Sequence, residues 1–177
     1  SQGYVWPIYA SYDLWEAAPD GSGPRRITTS EGYDAEATWC HRGGKLVFTS
    51  MRDGDLDLYE MNEAGQVKRL TSTPGYDGGA FYSADCSEIV YRAHHPEGAA
   101  LEEYQRLLKQ GLVKPSVMEL WVMKADGSDA RQVTRTGRAN FGPYFHPDGK
   151  RIVYSSNAHA ASGREFDLFM IDKQGGT

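Results

Sequence analysis

The stretch Tyr33–Thr71, YDAEATWCHRGGKLVFTSMRDGDLDLYEMNEAGQVKRLT, decides the fold. It divides into four short runs rich in β-branched and aromatic residues: Glu36–His41, Lys45–Ser50, Leu56–Met61 and Gln66–Thr71. Arg42-Gly43-Gly44, Arg52-Asp53-Gly54-Asp55 and Asn62-Glu63-Ala64-Gly65 separate them. Gly, Asp and Asn tolerate the backbone angles of tight turns, so the runs read as four antiparallel strands.

The unit recurs. Ile27-Thr28, Leu70-Thr71 and Val133-Thr134 fall at spacings of 43 and 63 residues. Eleven residues after each Thr stands an aromatic (Trp39, Tyr82, Phe145), and nine later another (Phe48, Tyr91, Tyr154). The third run recurs as Asp13-Leu14-Trp15, Asp57-Leu58-Tyr59, Glu119-Leu120-Trp121 and Asp167-Leu168-Phe169. Four strands in a period of about 40–45 residues is the signature of a β-propeller blade. The expected fold is all-β: a propeller segment of about four four-stranded blades, the first and last incomplete, with one short helical insertion.

Residues 1–28 read as the tail of a blade, with one strand over Tyr4–Ser11 and the next over Tyr12–Ala17. Residues 33–71 and 76–134 are complete blades; 139–177 is a partial blade ending at Gln174-Gly175-Gly176-Thr177, where a fourth strand is due. Either the segment belongs to a larger propeller, the reading we favour, or strands from both ends close a small ring. Residues 94–116 interrupt their blade. Leu101, Tyr104, Leu107 and Leu108 share one helical face, Glu102 and Glu103 precede Lys109, and Gly111 supplies a stop, so a helix is expected from near Gly98 to Gln110. Its apolar face is expected to pack on its own propeller, with a partner contact through Leu107 and Leu108 as the alternative. Trp15, Trp39, Tyr59, Tyr82, Trp121, Phe145 and Phe169 are expected between blades.

With a net charge of −5 and no basic stripe, nucleic acid is not an expected partner. No run approaches the length of a membrane span, and Ser1-Gln2-Gly3 does not begin a signal peptide. Cys40 falls in a first strand and Cys86 in the first turn of the next unit. Those positions lie at different heights, so a disulfide between them is not expected.

The phrases Phe145-His146-Pro147-Asp148-Gly149-Lys150-Arg151-Ile152-Val153-Tyr154-Ser155-Ser156, Leu120-Trp121-Val122-Met123-Lys124-Ala125-Asp126-Gly127 and Arg131-Gln132-Val133-Thr134 resemble the TolB-like propeller repeat. Arg42-Gly43-Gly44 and Ala84-Asp85-Cys86 depart from its Pro-Asp-Gly turn. The resemblance implies a non-catalytic, protein-binding propeller of the bacterial periplasm or cell envelope. Its partner would be an envelope lipoprotein or a membrane-anchored complex. The same repeats also serve as accessory domains of hydrolases. Two further readings therefore stand beside the scaffold: the accessory or gating propeller of a peptidase or amidohydrolase, and an extrinsic subunit of a membrane complex. No part of the sequence reads as the α/β domain that accompanies the propeller in Tol-system proteins.

Strand alternation puts the loops entering the first strands, and those joining second to third strands, on one face. That face gathers Asp34, Glu36, Asp77, Asn140, Arg52, His94 and His95. Asp34, Asp77 and Asn140 are equivalent in the repeat and fall at the mouth of the channel. They would either bind a partner or a Ca²⁺ ion through their oxygens, or cap the turns before their strands through a backbone N–H two residues on. We favour capping, because the position repeats as a structural need would. Asp53, Asp55 and Asp57 lack the Gly and Glu of a Ca²⁺ loop and read as a hairpin turn. His146 belongs to a turn, and His41 and His159 show no partner. Gly-x-Ser-x-Gly, His-Glu-x-x-His and Cys-x-x-Cys are all absent, so no catalytic residue is assigned.

Overall fold

A computed structural model describes residues 4–176. Ser1-Gln2-Gly3 and Thr177, both read above, lie outside the described residues. The strands group as β1 (Trp6–Pro7), β2 (Trp15–Glu16) and β3 (Arg25–Arg26); β4 (Asp34–Trp39), β5 (Lys45–Ser50), β6 (Asp57–Asn62) and β7 (Val67–Arg69); β8 (Tyr76–Tyr82) and β9 (Glu88–His94). Helix α1 (Gly98–Leu108) follows, then β10 (Leu112–Val113), β11 (Glu119–Lys124), β12 (Arg131–Gln132), β13 (Asn140–Phe145), β14 (Arg151–Ser156) and β15 (Asp167–Asp172). β4-β5-β6-β7 and β8-β9-β11-β12 are four-stranded antiparallel blades, β13-β14-β15 is three-stranded, and β2-β3 supplies the outer pair of a first blade. The inner strands β4, β8 and β13 stand beside one another.

The repeated Thr has a mechanical reason. Leu14, Leu58 and Leu120 donate their N–H to Thr28, Thr71 and Thr134 Oγ1 at 2.8, 2.9 and 2.8 Å. Each hydroxyl in turn reaches the acid before that leucine: Asp13 at 3.5 Å, Asp57 at 3.4 Å and Glu119 at 2.6 Å. One side chain thus satisfies a buried backbone donor and ties the short outer strand to its neighbour.

Blades pack through a repeating pair. Leu58 and Val47 meet Tyr82 and Tyr91 of the next blade; Leu120 and Val122 meet Phe145 and Tyr154 of the one after. Tyr59, Tyr82 and Phe145 are buried as expected, and Trp121 and Phe169 are half-buried. Trp15 and Trp39 are not core residues: they are 62% and 49% exposed. Trp39 packs backwards, as Tyr82 and Phe145 do, onto a blade that here has only β2 and β3.

Two more expectations need correcting. Tyr4–Ser11 is not a blade strand. It runs across the loop face, and its two-residue β1 pairs with β10 of the insertion, Trp6 opposite Val113. Pro7, without an N–H, suits so brief an edge pairing. Cys40 and Cys86 do form a disulfide, with Cα atoms 5.7 Å apart. β4 ends at Trp39, so Cys40 opens the turn after the strand, and the equivalent turn of the next blade curls Cys86 back towards it through φ +62°. The helix packs inward: Tyr104 and Leu108 are buried against Leu56, Tyr76, Val113 and Met118, and Leu107 is buried as well.

The disulfide closes a separation of 46 residues across two blades, which the loop-entropy relation values at about 4 kcal/mol. Cys40 and Cys86 should not react with Ellman's reagent before denaturation and reduction. Replacing both cysteines by serine should lower the unfolding free energy in urea by about that amount.

Candidate functional site

The loop face is built on three equivalent inner strands. Asp34 and Asn140 open β4 and β13, Asp77 is the second residue of β8, and all three are buried. Their N–H groups donate to Tyr12, Leu56 and Met118 carbonyls of the preceding blade at 2.9, 2.8 and 3.1 Å. Their side chains do different work. Asp34 accepts from Arg52 Nη2 at 3.1 and 3.2 Å and from Ser30 Oγ at 2.7 Å. Arg52 lies over the Phe48 and Tyr59 rings, 5.0 and 4.9 Å from their centroids. Asp77 pairs with His95 Nε2 at 2.9 Å, and the His95 ring packs 5.2 Å from that of Trp121. Asn140 Nδ2 donates to Met118 O at 2.7 Å and Thr136 Oγ1 at 2.8 Å. The three side chains thus engage neighbouring side chains and carbonyls, and none caps a backbone N–H two residues on, the role expected of them.

Two residues further on, each inner strand carries a bulge in the left-handed region: Glu36 at φ +57°, Gly79 at +58° and Gly142 at +55°. Glycine takes this geometry freely, whereas a side chain costs about 1–2 kcal/mol. Glu36 is compensated by its partners. Its Oε2 accepts from Thr49 Oγ1 at 3.0 Å, Tyr76 OH at 2.9 Å and Gly79 N at 3.0 Å. Its Oε1 meets Arg92 Nη2. Arg92 crosses the Gly78–Gly79 bulge, where a Cβ on Gly79 would stand 2.1 Å from Arg92 Nη1. Its guanidinium lies between Trp6, Tyr76 and Phe141, 5.7, 5.6 and 5.6 Å from the ring centroids. The pair therefore joins three blades and the N-terminal segment. Burial, and next the Glu36 charge, push Tyr33 up to about 12.

Arg92, Trp6, Tyr76 and Phe141 were not singled out from the sequence. The Gly78-Gly79 doublet, opposite Ala35-Glu36 in the repeat, is the available signal for Arg92. His94 is half-buried beside a cavity of about 150 Å³ lined by Glu103, Tyr104, Leu107 and Lys114, and burial lowers its pKa, with His95 adding to the effect. Leu108 turns inward and closes one wall of a cavity of about 340 Å³ with Met51, Gly54, Asp55, Gln105 and Lys109. His41 does have a partner, the Tyr144 hydroxyl at 3.1 Å, and His159 packs on Phe169. Among the described residues no group of three or more His, Cys, Asp or Glu is arranged to hold a metal ion.

Comparisons with known proteins bear on the architecture. The chain aligns over 93% of its length, at 22% identity and a TM-score of 0.68, with a solved structure described as a TolB from Agrobacterium tumefaciens. Among curated relatives it is 24% identical over 163 residues to the uncharacterized peptidase YuxL of Bacillus subtilis, covering 81% of this chain. It is 23% identical over 139 residues to the uncharacterized protein Atu1656 of Agrobacterium fabrum, covering 78% of it. The fold is a β-propeller. No protein-family model matches the chain. The propeller segment spans 24% and 41% of the two curated relatives and 54% of the solved chain. No described helix is long and apolar enough to cross a membrane.

Glu36→Gly should destabilise the propeller although glycine fits the bulge. It strands a buried guanidinium, a loss of about 3–5 kcal/mol, against a conformational gain of about 1–2 kcal/mol. A net loss of about 2–3 kcal/mol in urea unfolding is expected; unchanged or raised stability would show that the pair holds nothing together.

Proposed function

We propose that this chain is part of a larger TolB-like propeller that binds a protein partner, non-catalytically, through its loop face in the cell envelope. The observation that carries the reading is how that face is finished. The N-terminal segment and the helical insertion lie across it, joined by β1 and β10 and by the Ile8 N–H bond to Gly111 O at 2.7 Å. The Glu36–Arg92 pair fills the space beneath. This favours a fixed surface over an open passage. The surface presents Tyr4, Tyr9 and Tyr12, all exposed, next to the half-buried Tyr33, and the groove walled by Gln105 and Lys109. Exposed aromatics beside a polar rim are the composition of protein interfaces. The Cys40–Cys86 disulfide supports an oxidising compartment, consistent with the envelope.

The larger ring is supported by the two end faces. Leu168 stands where Leu14, Leu58 and Leu120 are buried against a following blade, yet is 79% exposed. Trp15 is the corresponding aromatic on the leading face. Another blade of the same repeat would cover each.

A second reading has its own support: the similarity to a protein named as a peptidase favours an accessory propeller that controls substrate access.

A photocrosslinking amino acid at Gln105 or Tyr9 in the full-length protein should capture one partner protein in cells, and at Lys68, on an outer strand, should not. If instead the full-length protein hydrolyses peptides, and Gln105→Trp in the groove changes kcat/KM, the accessory reading replaces the scaffold.

A further inference from the structure

The repeat gives two equivalent clasps a different chemistry. Arg52 and His95 each stand 18 residues beyond the buried aspartate that they pair with, Asp34 and Asp77. Each lies against the third-strand aromatic of its blade, Tyr59 or Trp121. Arg52 is charged at every pH a cell offers, whereas an imidazole titrates near neutrality. The exchange falls at one place: His95 follows the last residue of β9, and Pro96 and Glu97 then lead into α1.

We propose that the Asp77–His95 clasp makes the seating of the 94–116 insertion on the loop face conditional on a protonated His95, so that the helix-bearing face is held at mildly acidic pH and released as pH rises. The proposal concerns the face described above but does not depend on what that face binds.

The surroundings give the sign. Asp77 of β8 hydrogen-bonds His95, and the charges of Asp55 and Asp57 in the preceding blade act on it in the same sense. His94 is the neighbouring imidazole, held towards its neutral form by burial, and Glu119 of β11 acts on it in the opposite sense. Tyr91 and Tyr104 also approach Asp77; Tyr104 donates to Asp55 at 2.6 Å. Arg69 pairs with Asp57 rather than with Asp77. Burial alone would lower the His95 pKa, but the hydrogen bond and charge of Asp77, helped by Asp55 and Asp57, outweigh it and raise the value. A raised histidine contributes stability that is full below its unfolded value of about 6.5 and is lost as pH climbs through the folded value. Burial also raises Asp77, which sets the acidic limit below which the carboxylate takes up its own proton. Burial lifts Asp57 to about 6 despite Arg69, so the whole molecule gains some stability on acidification, and the readout has to be local to α1.

Amide hydrogen exchange of residues 98–108 supplies it, compared with β5 and β6 in the same full-length sample and corrected for intrinsic rates. Between about pH 6 and about pH 8, α1 protection should fall about tenfold further than any fall shared by β5 and β6, because a charged hydrogen bond weakens to a neutral one. His95→Arg, copying Arg52, should keep α1 protected at both pH values; His95→Gln should leave it low at both. An NMR titration of the wild-type His95 ring, which needs no variant to fold, should give a value above about 6.5. A value below that, α1 protection independent of pH in the wild type, or an equal fall in His95→Arg would overturn the proposal.

Discussion

The contact between a third-strand leucine and the aromatics of the following blade is what the rest of the molecule depends on. Leu14 packs with Phe48 and Tyr59, Leu58 with Tyr82 and Tyr91, and Leu120 with Phe145 and Tyr154. Each blade is a thin twisted sheet with two apolar faces, and neither can be buried within the blade itself. Stability is therefore a property of neighbouring pairs, as in other repeat folds. The same positions without a neighbour, Leu168 and Trp15, are among the most exposed large apolar side chains.

Polar groups then decide how the blades align. A leucine–aromatic contact is non-directional and would tolerate sliding. The bonds that the Asp34, Asp77 and Asn140 N–H groups donate to the Tyr12, Leu56 and Met118 carbonyls do not. Glu36 and Arg92 add a longer link, with one carboxylate touching the bulges of two blades and one guanidinium lying against a third. Buried ionic pairs rarely add net stability, but breaking one is costly. That asymmetry suits a register pin. It also explains why Glu36 keeps a backbone geometry that its repeat equivalents leave to glycine.

The repeat was legible because its cause is local. Thr28, Thr71 and Thr134 must each sit where a hydroxyl meets a backbone N–H, and a fixed spacing records that need. The helix was legible for a similar reason, its buried face being written at helical spacing from Leu101 to Leu108. The disulfide was misread because β4 ends at Trp39 and not at His41, which, with a left-handed Cys86, moves Cys40 into the same layer as its partner. Trp15 and Trp39 were misread because their pattern is that of core residues, while burial depends on a neighbour the repeat implies but cannot supply. Asp34, Asp77 and Asn140 were grouped correctly as equivalent positions. Their partners were hidden, because Arg52 and His95 follow only after a hairpin and Thr136 belongs to the preceding blade's linker.

Comparing those three positions shows what the repeat constrains. The backbone bond to the preceding blade is common to all of them, so the polar opening of the inner strand satisfies the fold. Beyond that bond each blade is free to choose a partner: a permanent cation for Asp34, a titratable one for Asp77, and for Asn140 the oxygens of Met118, Thr136 and Glu119. The titratable choice stands where the blade is interrupted by its helix, and where the charges of Asp77, Asp55 and Asp57 all favour the protonated ring. An arginine there would satisfy the same aspartate and rest on the same ring. Histidine differs from it in one physical respect, that its charge can be withdrawn.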